Sequence, residues 1–561
     1  MSKDRFVRHA NLMSALTILS RFAGLARDKI CSYYIGVGPD WSAFWIGFIF
    51  PNLFRRIFGE GALTAVFVPV YTETLQKHGR QAANRLASAT VTLLVLVLSG
   101  ITLIGEAITI PIALAKGVSP ENRLAAAMIA IMLPYCVMVC LVAIMGAIAT
   151  VHEKFTAQSL SPIILNLFMA GAAALAVALM TRDYPLQKRV YWVALSVLAA
   201  GVIQVAQMIP TLWTSGVRLR PLLAFRDAGI GAVVKPMLPI LLAYSAVQIN
   251  TAMDSQIAWW LSPDGHNNNA FFTFFGHVFP TAMQAGAVAK LSIAQRIYLL
   301  PVGIFGVAMA TAVFPPMARA AAAGDIEELK RLLVSGLRKT LFLSIPASLG
   351  MILVAKPLIT IVYLGGNVTE DDVNRAYWAS IFFCVGIWAF EAQMVIMRVF
   401  FVLKDTKTPT QVALCMIVLN FALNLTLVWF LREGGIALAT TIAAMIQGAI
   451  LIGILRHRLG RLGTRELLAN AGVGLLATLV MVEVGYLLSA IPMPWEPTGV
   501  LIADPATRVH AKLLTALVKL PVLVGVCAGV YIALARFLDL GEVADLPVVG
   551  RWFRHPLTTN N

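Results

Sequence analysis

Charged residues are scarce in this 561-residue chain: Asp, Glu, Lys and Arg together make up 13% of it. A soluble protein carries about 25%. The six cysteines and eight histidines form no HExxH motif and no paired metal-ligand spacing, so we expect neither a metal site nor a disulfide framework. No nucleotide-binding motif is present, which argues against direct use of ATP. Hydrophobic residues at 59% and a mean hydropathy of +0.80 predict an integral membrane protein.

Acidic residues are the scarcer charged class, because 44 Lys and Arg face 28 Asp and Glu, a net charge of +16. The basic residues concentrate in short segments between hydrophobic stretches, which is the positive-inside pattern rather than a nucleic-acid-binding surface. We therefore expect no nucleic-acid partner. The pattern predicts that both termini lie in the cytoplasm. The first apolar segment lacks a small-residue cleavage site, so we expect it to be retained as a helix.

The hydropathy pattern predicts an all-α polytopic membrane protein with about fourteen spanning helices of about 20 residues each. Two further stretches, 218–231 and 319–336, combine apolar and charged residues in a way typical of helices that lie at the membrane surface. The fourteen predicted spans centre on 11–35, 42–70, 88–114, 123–150, 160–180, 190–213, 232–261, 285–317, 338–363, 374–403, 409–431, 435–455, 467–490 and 512–536.

An internal repeat organises these helices. Residues 57–69 read IFGEGALTAVFVP and residues 304–316 read IFGVAMATAVFPP, an offset of 247 residues. An even number of helices in each copy predicts two six-helix lobes in parallel orientation, with substrate bound between the repeats. The predicted domains are an N-terminal lobe at 1–216, an interfacial linker at 217–231, a C-terminal lobe at 232–458, and helices 13 and 14 with a cytoplasmic tail at 459–561.

Arginines inside the first two predicted helices are the most informative feature of the chain. A charged residue at the centre of a membrane helix costs roughly 2.5–3.5 kcal/mol or more, so it needs a reason. One interpretation is that the arginines extend to the headgroups, and another is internal pairing of Arg27 with Asp28 and of Arg56 with Glu60. A third is that they face a water-filled cavity and bind an anion, because arginine matches phosphate oxygens in a bidentate way. The repeat favours the third: Arg55, Arg56 and Glu60 are replaced by Val302, Gly303 and Val307 in the second copy.

A weaker polar cluster is predicted among the helices of the second lobe. Asp254, Asn420, Asn424 and Thr440 could meet there and hold Na⁺ or a proton. The alternative is hydrogen bonding between helices, which is common for such residues in membranes.

Several segments resemble one known family. The segments SRFAGLARD, PNLFRRIFGEGALTAVFVP, QINTAMD, Gln295–Arg296 and KDTKTP are similar to those of the MurJ (MviN) lipid II flippases, which belong to the multidrug/oligosaccharidyl-lipid/polysaccharide exporter superfamily. Two positions depart from the family's usual acidic residues: Ser42 and Gln295.

The resemblance implies a transporter, not an enzyme, in the bacterial cytoplasmic membrane, acting in peptidoglycan synthesis, cell-wall biogenesis and cell shape. It would move undecaprenyl-pyrophosphate-linked peptidoglycan precursor (lipid II) from the inner to the outer leaflet by alternating access, with the headgroup in a cationic central cavity. Implied partners are lipid II or a similar polyprenyl-pyrophosphate glycan, membrane lipids and cell-wall synthesis proteins. No cofactor is implied; Na⁺, H⁺ or the membrane potential would supply the energy. The substrate-binding residues carried over are Arg21, Arg27, Asp28, Asn52, Arg55, Arg56, Glu60 and Arg296.

Other functions are weighed against this one. A flippase for another polyprenyl-linked glycan would look the same in charge, whereas a cation-coupled drug exporter would need an acidic site. A membrane enzyme on polyprenyl phosphates would need clustered carboxylates for Mg²⁺. The run Glu370-Asp371-Asp372 instead indicates the start of a helix. A non-transporting scaffold for cell-wall synthesis would not need arginines within the membrane.

Overall fold

The computed structural model describes residues 3–59, 62–178, 185–224, 228–263, 271–274, 277–494, 505–538 and 540–542. Nearly all of them are helical. The contacts divide the chain into two units, one of residues 1–289 with 365–368 and one of residues 290–364 with 369–561. This division falls after Ala289, and the predicted lobes with a linker at 217–231 stay a prediction.

The first unit contains seven helices, a π-helical turn and a hairpin. α4 is its central helix and packs against α2, α3 and α6. Close packing of α2 on α4 depends on Gly47, where an added Cβ would lie 2.8 Å from the Met128 backbone. Small residues allow such close approach between membrane helices. The elements are α1 (Lys3–Ile35), α2 (Pro39–Phe54), the π-turn (Arg55–Gly59), α3 (Ala62–Leu114), α4 (Pro120–Val151), α5 (Thr156–Ala178), α6 (Leu186–Thr214), α7 (Ala228–Trp260), β1 (Phe271–Phe274) and β2 (His277–Pro280).

The second unit contains nine helices and a second π-turn. α10 is its central helix and packs against α9, α11, α12, α15 and α16. α16 is fixed to α10 partly by Tyr531, whose buried hydroxyl donates to the carbonyl of Phe342 at 2.7 Å. The elements are α8 (Ala287–Pro301), the π-turn (Val302–Gly306), α9 (Val307–Ala322), α10 (Ile326–Tyr363), α11 (Glu370–Val385), α12 (Ile387–Val402), α13 (Lys407–Leu431), α14 (Glu433–Leu459), α15 (Thr464–Ala490) and α16 (Pro505–Phe537).

The predicted count of about fourteen spans is not confirmed. Within the described ranges, ten helical segments are long and apolar enough to cross a membrane, and α11 with α12, bent by 43°, would make an eleventh. The predicted spans at 11–35, 42–70 and 232–261 correspond to α1, α2 and α7, which are not among them. α2 is only 16 residues long and passes into the π-turn, while α1 carries Arg21, Arg27 and Asp28 in its apolar half.

Three local predictions also need correction. The basic segment around Lys77 is helical rather than a loop: α3 consists of two helices that meet in a kink at Gly79, whose φ is 76°. Residues 217–224, the first part of the predicted interfacial helix at 218–231, are not helical, and the amides of Arg220 and Leu222 donate to hydroxyls of α3 at 3.1 and 3.0 Å. Residues 225–227 lie outside the described residues, and α7 begins at Ala228. The stretch 319–336 is two helices joined by a turn at Gly324. The predicted all-α fold is confirmed, since nearly all described residues are helical and the two strands form only one short antiparallel hairpin.

The repeat is visible in the backbone. The two π-turns, Arg55–Gly59 and Val302–Gly306, are separated by the same offset as the sequence repeat, and each leads into a helix with the TAVF sequence. A π-turn is a rare local widening of a helix that often marks a functional site. The second copy keeps this widening without the arginines.

Candidate functional site

Arg27 and Asp28 form a largely buried ion pair on α1. The Arg27 Nε and Nη2 atoms donate to one Asp28 carboxylate oxygen at 3.0 and 2.7 Å, and the two side chains are 12% and 6% exposed. Arg27 also contacts the sulfur of Met169 on α5. α1 runs unbroken through Gly24, so no bend is needed to bring Arg27 to this position. These contacts hold the guanidinium in a fixed orientation where α1 packs against α5.

The π-turn positions two further arginines. Arg55 Nη2 donates to the Asn52 side-chain oxygen at 3.0 Å, as their spacing predicts. Arg56 Nη1 donates to the side-chain oxygen of Gln248 on α7 at 3.4 Å. Glu60, the predicted partner of Arg56, lies outside the described residues.

Arg21 and Arg296 are the two remaining arginines of the predicted site. Arg21 lies on the exposed surface of α1, and Arg296 is half-buried on α8 in the second unit. The first unit therefore contains two groups of cationic donors, Arg27 at the α1–α5 contact and Arg55 with Arg56 near α7. Both groups are at least half-buried and lie in helices of apolar sequence. Charged residues are costly in such an environment, so their presence indicates a function.

The departure at Ser42 has a local explanation. Its hydroxyl is buried and accepts a hydrogen bond from the Ala289 amide at 3.1 Å. An ionised carboxylate at this position would be costly unless a cation accompanied it.

The predicted cation cluster is divided between the units. Asn424 Nδ2 donates to the Asn420 oxygen at 2.8 Å, and Asn420 Nδ2 donates to Thr440 Oγ1 at 3.2 Å, which joins α13 to α14. Asp254 is buried on α7 and belongs to the first unit. The bonds between α13 and α14 are those that the helix-packing alternative predicts. Cation binding by these residues stays a prediction.

Sequence reasoning missed a charged cluster in the second unit. Lys290, only 2% exposed, pairs with Asp372 at 2.8 Å, and Arg375 pairs with buried Glu433. Asp372 also completes the capping box with Thr369 at the start of α11, which agrees with its interpretation as a helix-start charge. The available signal was Lys290 itself, a lysine within the otherwise apolar segment of α8.

Glu391 is a second residue to which the sequence assigned no role. It is fully buried on α12, and neither carboxyl oxygen has a hydrogen-bond partner among the residues that the structure describes. Its Cγ lies 3.0 Å from where a Cβ would stand on Gly306, at the end of the second π-turn. A carboxyl group in such surroundings is far cheaper to bury neutral than ionised.

The KDTKTP segment forms a helix start. Asp405 accepts from the Thr408 amide at 3.0 Å and from Arg458 Nη1 at 2.5 Å. Partial burial acts to raise the pKa of this carboxyl, but the hydrogen bonds from Thr408 and the charge of Arg458 outweigh it and lower the pKa to about 2. This motif therefore joins the start of α13 to the end of α14.

Comparison with known proteins matches this fold and these segments to one family. The family model described as "Lipid II flippase MurJ" matches residues 31–503. A "Probable lipid II flippase MurJ" of Vibrio cholerae is 29% identical over 462 residues, covering 80% of this chain and 82% of that protein. The "Lipid II flippase MurJ" of Burkholderia cenocepacia is 27% identical over 455 residues, covering 80% and 83%.

A solved structure has the same fold. The structure described as "Lipid II flippase MurJ, inward closed conformation" has a TM-score of 0.68 and 22% identity, and the match covers 92% of this chain and 98% of that one. The family model covers most of the sequence, including the π-turn, Asn52 and the arginines beside it. The chain belongs to the lipid II flippase MurJ family.

Proposed function

We propose that this protein is a flippase that moves lipid II from the inner to the outer leaflet of the bacterial cytoplasmic membrane. It acts by alternating access, and the arginines of the first unit bind the pyrophosphate of the headgroup. The observation that carries the assignment of the site is the geometry of the π-turn, where Asn52 holds Arg55 and α7 holds Arg56 through Gln248. Membership of the family supports the cargo.

The arginines suit this cargo for a chemical reason. A pyrophosphate diester presents several acceptor oxygens and negative charge, and a guanidinium offers planar donors that stay charged at any physiological pH. A side chain that is already oriented loses less entropy when it binds. Asn52 supplies that orientation for Arg55, and Asp28 supplies it for Arg27. Arg21 and Arg296 would add charge along the route of the headgroup.

The direction and energy source complete the proposal. The distribution of basic residues supports placing both termini in the cytoplasm. Transport against a gradient would draw on the membrane potential, Na⁺ or H⁺, or on consumption of lipid II at the outer surface. Proteins of cell-wall synthesis are the expected partners at that surface.

Complementation of a conditional lipid II flippase depletion strain tests the proposal. We expect the parent chain to restore growth and Arg55→Ala to fail at matched membrane abundance. Arg85→Ala, which removes an exposed arginine from α3, is the control and should restore growth. Rescue by Arg55→Ala would reject the assigned site. If the parent fails here but rescues a strain that lacks the flippase of another polyprenyl-linked glycan, the cargo is wrong.

A further inference from the structure

The second unit contains a cavity of about 630 Å³ that is separate from the residues discussed above. It lies at the start of α10 and is closed on other sides by the segment between α14 and α15 and by residues 541–542. Five basic side chains line it, against two acidic ones, Glu327 and Glu542. The basic residues are Lys330, Arg331, Arg338, Lys339 and Arg461.

Internal ion pairs leave this lining positively charged. Lys330 pairs with Glu327 at 2.6 Å, and Arg338 pairs with Glu542. Arg331 pairs in the same way with Glu328, so three basic side chains are fixed at the wall. Arg461 is exposed and forms no ion pair with any residue of the described chain. The cavity therefore favours an anion with several acceptor oxygens.

The start of α15 adds to this preference. Gly463, which lines the cavity, precedes the helix and has no side chain with which to cap it. A helix N-terminus carries a partial positive charge from its unpaired amides. At the cavity this charge has the same sign as the lysine and arginine side chains.

Helix length places the cavity at the membrane surface. α10 has 38 residues, and a helix of that length extends about 57 Å, whereas the hydrocarbon core is about 30 Å thick. Its first part, up to Lys339, carries six of its seven charged residues, so we place that part outside the hydrocarbon. This is the depth at which phospholipid phosphates are found.

The neighbouring face of α15 suits acyl chains. Leu468, one turn beyond Gly463, is 69% exposed, and Leu476 is 62% exposed. An apolar seam between α10 and α15 also begins at Arg338 and Glu542, which line the cavity too. A molecule with its phosphate among the basic side chains could thus lay its tails along α15. A soluble anion without tails would contact only the basic side chains of the cavity.

We propose that this cavity binds the headgroup of an anionic phospholipid, with its phosphate held by Lys339, Arg461 and the start of α15. The site lies in the second unit, outside the proposed substrate arginines of the first. Its occupancy would stabilise the contact of α15 with α10 in membranes rich in such lipids.

Lipid binding to the purified full-length chain tests the proposed lipid site without any transport measurement. A negative result would therefore reject the lipid site and leave the proposed flippase function untouched. Native mass spectrometry would follow titration with phosphatidylglycerol, with phosphatidylcholine of the same acyl chains, and with sodium pyrophosphate. We expect phosphatidylglycerol to bind most tightly. Each basic residue near an anionic headgroup is worth roughly fivefold in affinity, so Lys339→Ala with Arg461→Ala should weaken binding about thirtyfold.

A charge-matched variant is the control. Lys407→Ala with Arg456→Ala removes two exposed basic residues outside the cavity and should change the affinity by less than about twofold. Arg461→Lys, which keeps the charge, should retain most of the binding, and thermal unfolding would verify that each variant is folded. Equal losses in the two double variants, or no preference for phosphatidylglycerol over phosphatidylcholine, would overturn the proposal. Displacement of the lipid by pyrophosphate at equal concentration would reassign the site to a soluble anion.

Discussion

The Arg27–Asp28 pair allows a structural role to be separated from a role in transport. Replacing Arg27 with Ala removes a charge from the proposed pyrophosphate site and also removes the cation beside a carboxylate that is only 6% exposed. Breaking a buried ion pair costs roughly 3–5 kcal/mol, because the remaining charge is uncompensated. Loss of transport by Arg27→Ala alone would therefore be uninformative.

The second substitution, Asp28→Asn, removes the uncompensated charge. We expect the Arg27→Ala/Asp28→Asn protein to recover most of the lost stability, since neutral side chains cost much less to bury. Transport should not recover. A hydrogen bond from a charged group is worth about 1.5–3 kcal/mol, so losing the bond from Arg27 to a phosphate should lower the affinity for the headgroup about 10- to 150-fold.

Two measurements on the same preparations decide between the roles. Thermal unfolding of the purified proteins reports stability, and translocation of lipid II in reconstituted vesicles reports transport. The expected pattern is a destabilised single variant and a stable but inactive double variant. If the double variant transports at the parental rate, Arg27 serves only to neutralise Asp28 and our reasoning about the site is refuted.

Three further predictions concern stability, each measured by thermal unfolding in detergent. Gly366→Ala should destabilise the protein strongly, because a Cβ there would lie 2.1 Å from the Tyr33 carbonyl oxygen and φ is +60°. Gly231→Ala, with open space around the glycine, is the control. Equal losses of stability in the two variants would contradict this reasoning. Lys290→Met should lower the free energy of unfolding by roughly 3–5 kcal/mol, because it leaves Asp372 without its cation. The double variant Lys290→Met/Asp372→Asn should lose much less stability. Equal losses in the two variants would mean that the pair contributes only through packing. Asp405→Asn should be less stable than the parent at pH 7, and the difference should narrow as the pH falls from about 4 towards 2, because the folded pKa of Asp405 lies below the usual value near 3.9. A difference that does not vary with pH would show that charge is not the cause.

Much of the fold could be predicted from sequence because the signals are local. Apolar runs identify most of the helices, and the repeated IFG…TAVF segment predicts that the two halves have equivalent backbones there, which the structure confirms. The contact between Asn52 and Arg55 follows from their spacing of three residues on one helix. A property that depends on neighbours within one or two turns is readable without knowledge of the tertiary structure.

The remaining features depend on contacts between distant segments. The bond from Arg56 to Gln248 needs both the wider π-turn and the approach of α7, and neither has a sequence signal. The pairing of Lys290 with Asp372 joins residues on α8 and α11. The basic residues on both sides of the Gly79 kink are helical although composition alone suggests a loop, since lysine and arginine have high helix propensity.

The two π-turns also bear on how the chain originated. A π-turn arises when one extra residue is accommodated within a helix, and such an insertion is seldom acquired twice at one place. Because both halves carry it at equivalent positions, a single origin before duplication of the repeat explains it with one event. The arginines are present in only one half, so the two copies share the shape of the helix and differ in the charge that it carries.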